Sequence, residues 1–263
     1  MDSLSSRDYN ILLLIYIDKL SLVCHYIQSI FLSFTWQRRH FDMTGKTDSP
    51  YYPAREEHYK QLGNSVVKAL VSNGHNAMYC ETSEEALREV LSIIPEDASV
   101  GIPGSVTIRE IGALDSLKER GNQVYHHWDP DLDAKGKTEK RVQENSADVI
   151  LSGSNAFSID GVLVNIDGIG NRVSAMAWGQ NKIIFVVGIN KIERDLSSAI
   201  QRVRDKATPP NAIRLNIETP CIKTGYCMNC NSENRVCRAL LILEKATMGR
   251  ESWVILVGED LGY

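Results

Sequence analysis

From residue 56 onward, short apolar runs alternate with stretches whose apolar residues recur at helical spacing. Tyr59, Leu62, Val66, Ala69 and Leu70 mark a helix over Glu56–Ser72, and Gly74 stops it. Asn76–Cys80 reads as a strand. Thr82 and Glu85 form a capping-box pattern that opens a helix over Ser83–Ile93, with Pro95 beyond its end. Ser99–Ile102 is a strand, and one helix is expected from Ser105 through Arg120, stopped by Gly121. Gln123–His126 is a further strand and Lys135–Asn145 a polar helix. Val149–Leu151, Val162–Val164 and Ile183–Val187 are short runs rich in β-branched residues, the pattern of strands buried on both faces. Helices are expected near Arg172–Trp178, Ile192–Lys206 and Val236–Ala246, and a last strand over Trp253–Val257. This alternation predicts an α/β fold: a mostly parallel sheet covered by helices on both faces.

Small polar residues follow the apolar runs, which is where open α/β sheets bind ligands. Asn155 closes the run Ser152-Gly153-Ser154-Asn155. Asn165, Asp167, Gly168, Gly170, Asn171 and Arg172 follow the second run, and Lys191 follows the third. The glycines permit close backbone approach, the next helix start offers N–H groups to an anion, and Arg172 adds a planar cationic fork. A tight turn with a capping Asn is the plain alternative. Gly104 and Ser105 stand in a second Gly-rich loop that the sheet would bring to the same edge. Lys191 places a charge there or is a solvated surface lysine, the commoner outcome. His126 and His127 would face opposite sides of a strand and read as structural. The ten residues named for the strand-end loops predict a site for a small anionic substrate.

Residues 1–42 differ from the rest. They are rich in Leu, Ile, Phe and Tyr, but Asp18 and Lys19 interrupt the apolar run. A charge at a bilayer centre costs roughly 2.5–3.5 kcal/mol, which disfavours a membrane span. The expectation is an appended segment over 1–42, either an amphipathic helix or the result of an upstream start codon, followed by one domain over 43–263. Net charge is −4 and no basic run or aromatic platform occurs, so nucleic acid is not an expected partner.

Four of the six cysteines, Cys221, Cys227, Cys230 and Cys237, fall in a C-x5-C-x2-C-x6-C arrangement. Two thiolates at C-x2-C spacing reach one metal from a tight turn, and four complete a zinc site or hold an iron–sulfur cluster. The spacing matches neither a zinc ribbon nor a ferredoxin run, and four ordinary loop cysteines are the alternative. Clustered cysteines with no signal-cleavage pattern point to a cytoplasmic α/β protein rather than a secreted disulfide framework.

The segment Ser152–Arg172, then Val187-Gly-Ile-Asn-Lys191, then the cysteine stretch and the ending Val254–Tyr263 together resemble the lactate-utilisation (LUD) domain family, over roughly Tyr59 to Tyr263. The resemblance implies a fold of the NagB/RpiA/CoA-transferase group. It also implies a role in oxidising lactate or a related organic acid, as an enzyme or as a subunit beside iron–sulfur redox partner proteins. A four-iron cluster is then preferred over zinc as the group on the four cysteines. The alternatives are an isomerase- or transferase-like enzyme on a phosphorylated or CoA-linked substrate, or a non-catalytic assembly protein; a homo-oligomer is compatible with each. A more distant similarity to initiation-factor-2B-like sugar-phosphate isomerases departs at one telling position. Their acid/base Asp corresponds to Asn155, and an amide cannot shuttle a proton as a carboxylate does.

Overall fold

The computed structural model describes residues 49–179 and 181–263. The expected N-terminal appendage over 1–42 lies outside these residues. Two compact units divide the chain between Arg55 and Glu56, and the second, Glu56–Tyr263, contains every strand described here. Among the described residues no helix is long and apolar enough to cross a membrane.

Among the described residues, ten strands form two sheets. The larger has the order β1 (Asn76–Cys80), β10 (Ser252–Val257), β7 (Lys182–Gly188), β4 (Val149–Ser152), β2 (Val100–Gly101), β3 (Val124–Tyr125), and every pairing in it is parallel. Side chains alternate across each strand, so β7 divides its own run between two cores. Ile184 and Val186 join Leu151, Ile255 and Val257 on one face, with Ala86 and Val90 of α2 (Ser83–Ile93), Ile108 of α3 (Val106–Glu110) and Leu117 of α4 (Ala113–Arg120). Ile183, Phe185 and Val187 join Ile150, Val254 and Leu256 on the other. There Val66 and Leu70 of α1 (Tyr52–Ser72) pack with Phe157, Leu163 and Leu243. Burial on both faces is what the unbroken apolar runs require.

The last three of those side chains belong to a second sheet, ordered β8 (Ile192–Glu193), β5 (Ala156–Ser158), β6 (Leu163–Asp167), β9 (Ala239–Leu243). β6 is antiparallel to both β5 and β9. The expected parallel strand at 162–164 therefore lies in a different sheet, laid over the first. The expected helix over Val236–Ala246 is also corrected: this stretch is strand β9, drawn into extended form by pairing with β6 from Leu163↔Leu243 to Asp167↔Ala239.

Local signals held where they act locally. Thr82 caps α2 by accepting from the Glu85 amide at 3.3 Å. The return arm of the pattern goes one residue further back, Glu85 accepting from the Glu81 amide at 2.8 Å. The helix expected from Ser105 to Arg120 is two helices, broken where Gly112 adopts φ +74°. The helix expected over Ile192–Lys206 begins only at α7 (Leu196–Arg202), capped by Asp195. It then widens into a π turn over Val203–Ala207 before α8 (Thr208–Arg214). Pro209 and Pro210 supply no N–H to the α-helical ladder, and the wider turn absorbs that gap.

His75, between α1 and β1, is almost fully buried, and its Nδ1 lies 2.8 Å from Ser252 Oγ on β10. Its Nε2 is buried without a partner. Burial lowers the imidazole pKa to about 4. The unfolded chain takes up this proton near 6.5, so between about pH 4 and 6.5 it binds more protons than the native state, and stability rises with pH. Lowering the pH through that window should therefore cost on the order of 3 kcal/mol. Urea midpoints measured across it should show the loss, and His75→Gln should flatten the slope; an unchanged slope in the variant would rule His75 out as its source.

Candidate functional site

Because β2, β4, β7 and β10 run parallel, their carboxyl ends share one edge. The loop after each strand reaches a cavity of about 510 Å³ there. Gly104 and Ser105 come from the β2 loop, Asn155 from the β4 loop, Lys191 from the β7 loop and Gly262 from the β10 tail. The second sheet contributes Asp167, Gly168, Asn171 and Arg172 from beyond β6. Eight of the ten residues singled out in the strand-end loops thus line one cavity.

The other two have different places. Asn165 is fully buried within β6; its Oδ1 accepts from the Asn155 amide at 3.0 Å and its Nδ2 donates to Ser154 Oγ at 3.0 Å. It positions Asn155 rather than facing the cavity. Gly170 does not line the cavity; at φ +95° it is the residue before α6 (Asn171–Ala177). The N–H groups expected to meet an anion at this helix start are already engaged. Asp167 Oδ2 accepts from Arg172 N at 3.0 Å and Val173 N at 3.3 Å, and its Oδ1 accepts from Gly168 N at 2.7 Å. Asp167 is the cap of α6, and through it the cap of Arg172's helix.

Arg172 donates through Nη2 to Asn155 Oδ1 and to the Ile166 carbonyl, both at 2.7 Å. Among the described residues its Nε and Nη1 donate to nothing, and Asn155 Nδ2 is likewise unused. Burial holds the guanidinium below its usual pKa, with Asp167 acting against the shift. Asn171 Nδ2 donates to the Pro103 carbonyl at 3.1 Å, which joins the two Gly-rich loops.

Lys191 is not a solvated surface residue. It is 3% exposed, and its Nζ donates to Thr107 Oγ1 at 2.9 Å. Burial first, then Arg202 and Arg172, lower its pKa to about 7, with Glu110 opposing. A Cβ on Gly262, where φ is +60°, would come within 2.9 Å of Nζ and 2.6 Å of Thr107 Oγ1. The tail therefore closes over the amine with a residue that has no side chain to obstruct it.

Sequence reasoning missed the wall on the β3 side. His127 lines the cavity and its Nδ1 meets Glu144 Oε1 at 2.7 Å, while Glu144 is fully buried. A carboxylate at Nδ1 keeps a proton there and leaves Nε2 as the basic nitrogen. Glu144 reaches this point because its helix, α5 (Ala134–Ser146), packs directly on β2; a Cβ on Gly101 would stand 1.9 Å from the Glu144 carbonyl oxygen. Further out, two guanidinium groups lie over the Trp128 ring, Arg109 at 4.0 Å and Arg214 at 5.4 Å from its centroid. No sequence spacing links residues 109, 128 and 214; only the fold does.

The four cysteines do not assemble. Cys221 is buried in α9 (Pro220–Thr224) beside Thr219 Oγ1 at 3.1 Å. Cys237 is packed among Ala156, Val164, Ile166, Ala199 and Val203, ahead of a strand rather than at the expected helix start. Cys227 and Cys230 lie in a turn where Asn229 has φ +46°. Among the described residues no group of three His, Cys, Asp or Glu side chains is placed to hold a metal ion. In this conformation the four thiols are therefore not gathered on one centre.

A family model for the LUD domain matches residues 64–257. A solved structure described as a DUF162 family protein from Deinococcus radiodurans is similar to the chain at 14% identity and a TM-score of 0.47, covering 76% of this chain and 98% of that one. No curated protein matches.

Replacing Asp167 with Ala removes two acceptor contacts from the start of α6 and one from the loop before it. The expected cost is about 0.5–2 kcal/mol, the range for a lost helix cap. Urea unfolding of the variant measures it; stability equal to the parent chain would mean that Asp167 is not the cap.

Proposed function

The chain belongs to the LUD domain family, and on that premise we propose that it serves the use of lactate or a related small organic acid, binding the acid as an anion at the sheet's carboxyl edge. One observation carries the reading. Six basic side chains (Arg109, Lys137, Arg141, Arg172, Lys191, Arg214) line the cavity against two acidic ones, Asp129 and Asp167, in a chain whose net charge is −4. A concave site of one sign, walled by protein, concentrates oppositely charged ligands. Within it, the unused Nε and Nη1 of Arg172 and the unused Nδ2 of Asn155 suit a carboxylate. His127 offers a basic nitrogen for proton transfer, a role that Asn155 lacks the chemistry to fill.

Oxidation of lactate to pyruvate releases two electrons and two protons, so this reading requires an electron acceptor. A partner protein carrying an iron–sulfur cluster is the class expected, and the cytoplasm is the compartment in which clustered thiols stay reduced. A second reading draws on the outer wall. A three-carbon acid leaves most of the cavity unfilled, and the Arg109 and Arg214 guanidinium groups over Trp128 suit a second anionic group. That favours a transferase- or isomerase-like reaction on a phosphorylated or CoA-linked acid.

Calorimetric titration with L-lactate, pyruvate, inorganic phosphate and coenzyme A tests both. Loss of a charged hydrogen bond in Arg172→Ala should weaken a bound carboxylate by about 1.5–3 kcal/mol. A melting curve of the variant establishes that it is folded. If lactate and pyruvate bind neither protein, or bind both equally, the organic-acid reading fails. Affinity for coenzyme A or phosphate that falls in Arg109→Ala would select the second.

A further inference from the structure

The least expected group in the cavity is the Lys191 amine. Ammonium groups are rarely buried without a carboxylate partner, because desolvation penalises the charge. Among the described residues Nζ donates one hydrogen bond, to a hydroxyl, Thr107 Oγ1 at 2.9 Å. Thr107 is itself 1% exposed, so that acceptor is fixed in place. Two guanidinium groups, Arg172 and Arg202, press against the amine electrostatically, and the carboxylate that opposes them, Glu110, is occupied by the Gly262 amide at 2.6 Å. Burial and the two guanidinium groups favour the neutral amine, which is the nucleophilic form, and outweigh Glu110. The amine borders the same cavity as Arg172 and Asn155, whose unused donors suit a carboxylate. A lysine kept only for packing would need no cavity and no carboxylate-binding neighbours.

We infer that Lys191 forms a covalent imine with a carbonyl-bearing organic acid of the 2-oxo acid class, held through its carboxylate by Arg172. The step balances without any further reactant. The Nζ lone pair attacks the carbonyl carbon, and a carbon–nitrogen bond forms as the carbonyl π bond opens to a hydroxyl. The amine's two hydrogens and the carbonyl oxygen then leave as one water, and the carbon–nitrogen double bond remains. Gly262 leaves room for the tetrahedral intermediate, where a side chain would abut Nζ. The inference rests on the reading of the cavity as an organic-acid site and adds to it the substrate class and the nucleophile.

Borohydride reduces an imine to a stable secondary amine, which marks the lysine permanently. The full chain is incubated with pyruvate, treated with borohydride, and weighed intact by mass spectrometry. The expected result is the mass of one reduced pyruvate, located by peptide mapping on Lys191 and absent from Lys191→Met. Mapping on the parent chain decides the matter even if that variant does not fold. The initial rate of adduct formation should fall about tenfold for each pH unit below about 7, as the amine of Lys191 takes up its proton. A surface lysine would show that fall only below a much higher pH. Addition spread over other lysines, or equal in Lys191→Met, would overturn the inference. Pyruvate that binds in calorimetry but leaves no adduct would overturn the imine while keeping the organic-acid site. No binding and no adduct would remove both.

Discussion

A single buried guanidinium holds the loops of the cavity together. Arg202, 4% exposed at the end of α7, donates through Nη1 to the Asn155 carbonyl at 2.6 Å and to the Tyr263 carbonyl at 3.1 Å, and through Nε to the Asn190 carbonyl at 3.2 Å. Those three acceptors belong to the loop after β4, the loop after β7 and the tail after β10. A buried charge left without partners would be prohibitive, so the three segments must come to Arg202 for the fold to close. Asn190 completes the knot, accepting from the Leu261 amide at 3.2 Å. The parallel sheet puts the strand ends on one edge; Arg202 decides how far apart the loops beyond them stand.

The same arrangement explains the electrostatic character of the site. Arg172 and Arg202 both act on the Lys191 amine, while Asp167 opposes the shift of Arg172, Glu110 that of Lys191, and Glu193 and Asp260 that of Arg202. The protein answers in two ways. The arginines keep their charge and take carbonyl and amide oxygens as acceptors, since guanidinium does not readily give up its proton. The lysine, whose pKa moves more readily, gives way instead and sits at about 7. An anion entering the cavity would reverse that balance by favouring the protonated amine. Ligand charge and lysine protonation are therefore linked through the geometry of three side chains.

What could be read along the chain, and what could not, follows from the range over which each feature is determined. β4, β7, β10 and α2 are legible because an unbroken apolar run, or a Thr before an amphipathic stretch, states its own burial. The site loops are legible because they follow such strands. β9 is not: Ala239–Leu243 is an Ala/Leu run with no β-branched residue except Ile242, and its helical preference is overridden by pairing with β6. Asn165 was placed in the cavity by proximity in sequence, but strand alternation turns it toward Ser154. Glu144 and His127 are seventeen positions apart and become a pair only because Gly101 admits α5 against β2. Without the fold, that glycine carries no hint of the carboxylate it places.

The cysteine segment stands apart from the cavity chemically but not mechanically. Val236, next to Cys237, lines the cavity, and a Cβ on Gly168 would stand 2.9 Å from the Val236 carbonyl oxygen. The Arg238 amide donates to the Asp167 carbonyl at 2.8 Å, and the Cys227 amide to Asp205 Oδ1 at 2.9 Å within the π turn that precedes α8. Arg235 spans the segment, donating to the carbonyls of Cys230 at 2.7 Å and Cys237 at 2.9 Å. Cys237 stands in apolar packing two residues before β9, whose pairing with β6 runs to Asp167, the residue that caps the helix of Arg172. A change at Cys237 would thus reach the cavity through one backbone hydrogen bond and one helix cap. The two features that stand out most in the sequence, the cysteine run and the Gly-rich loop, are joined at Asp167.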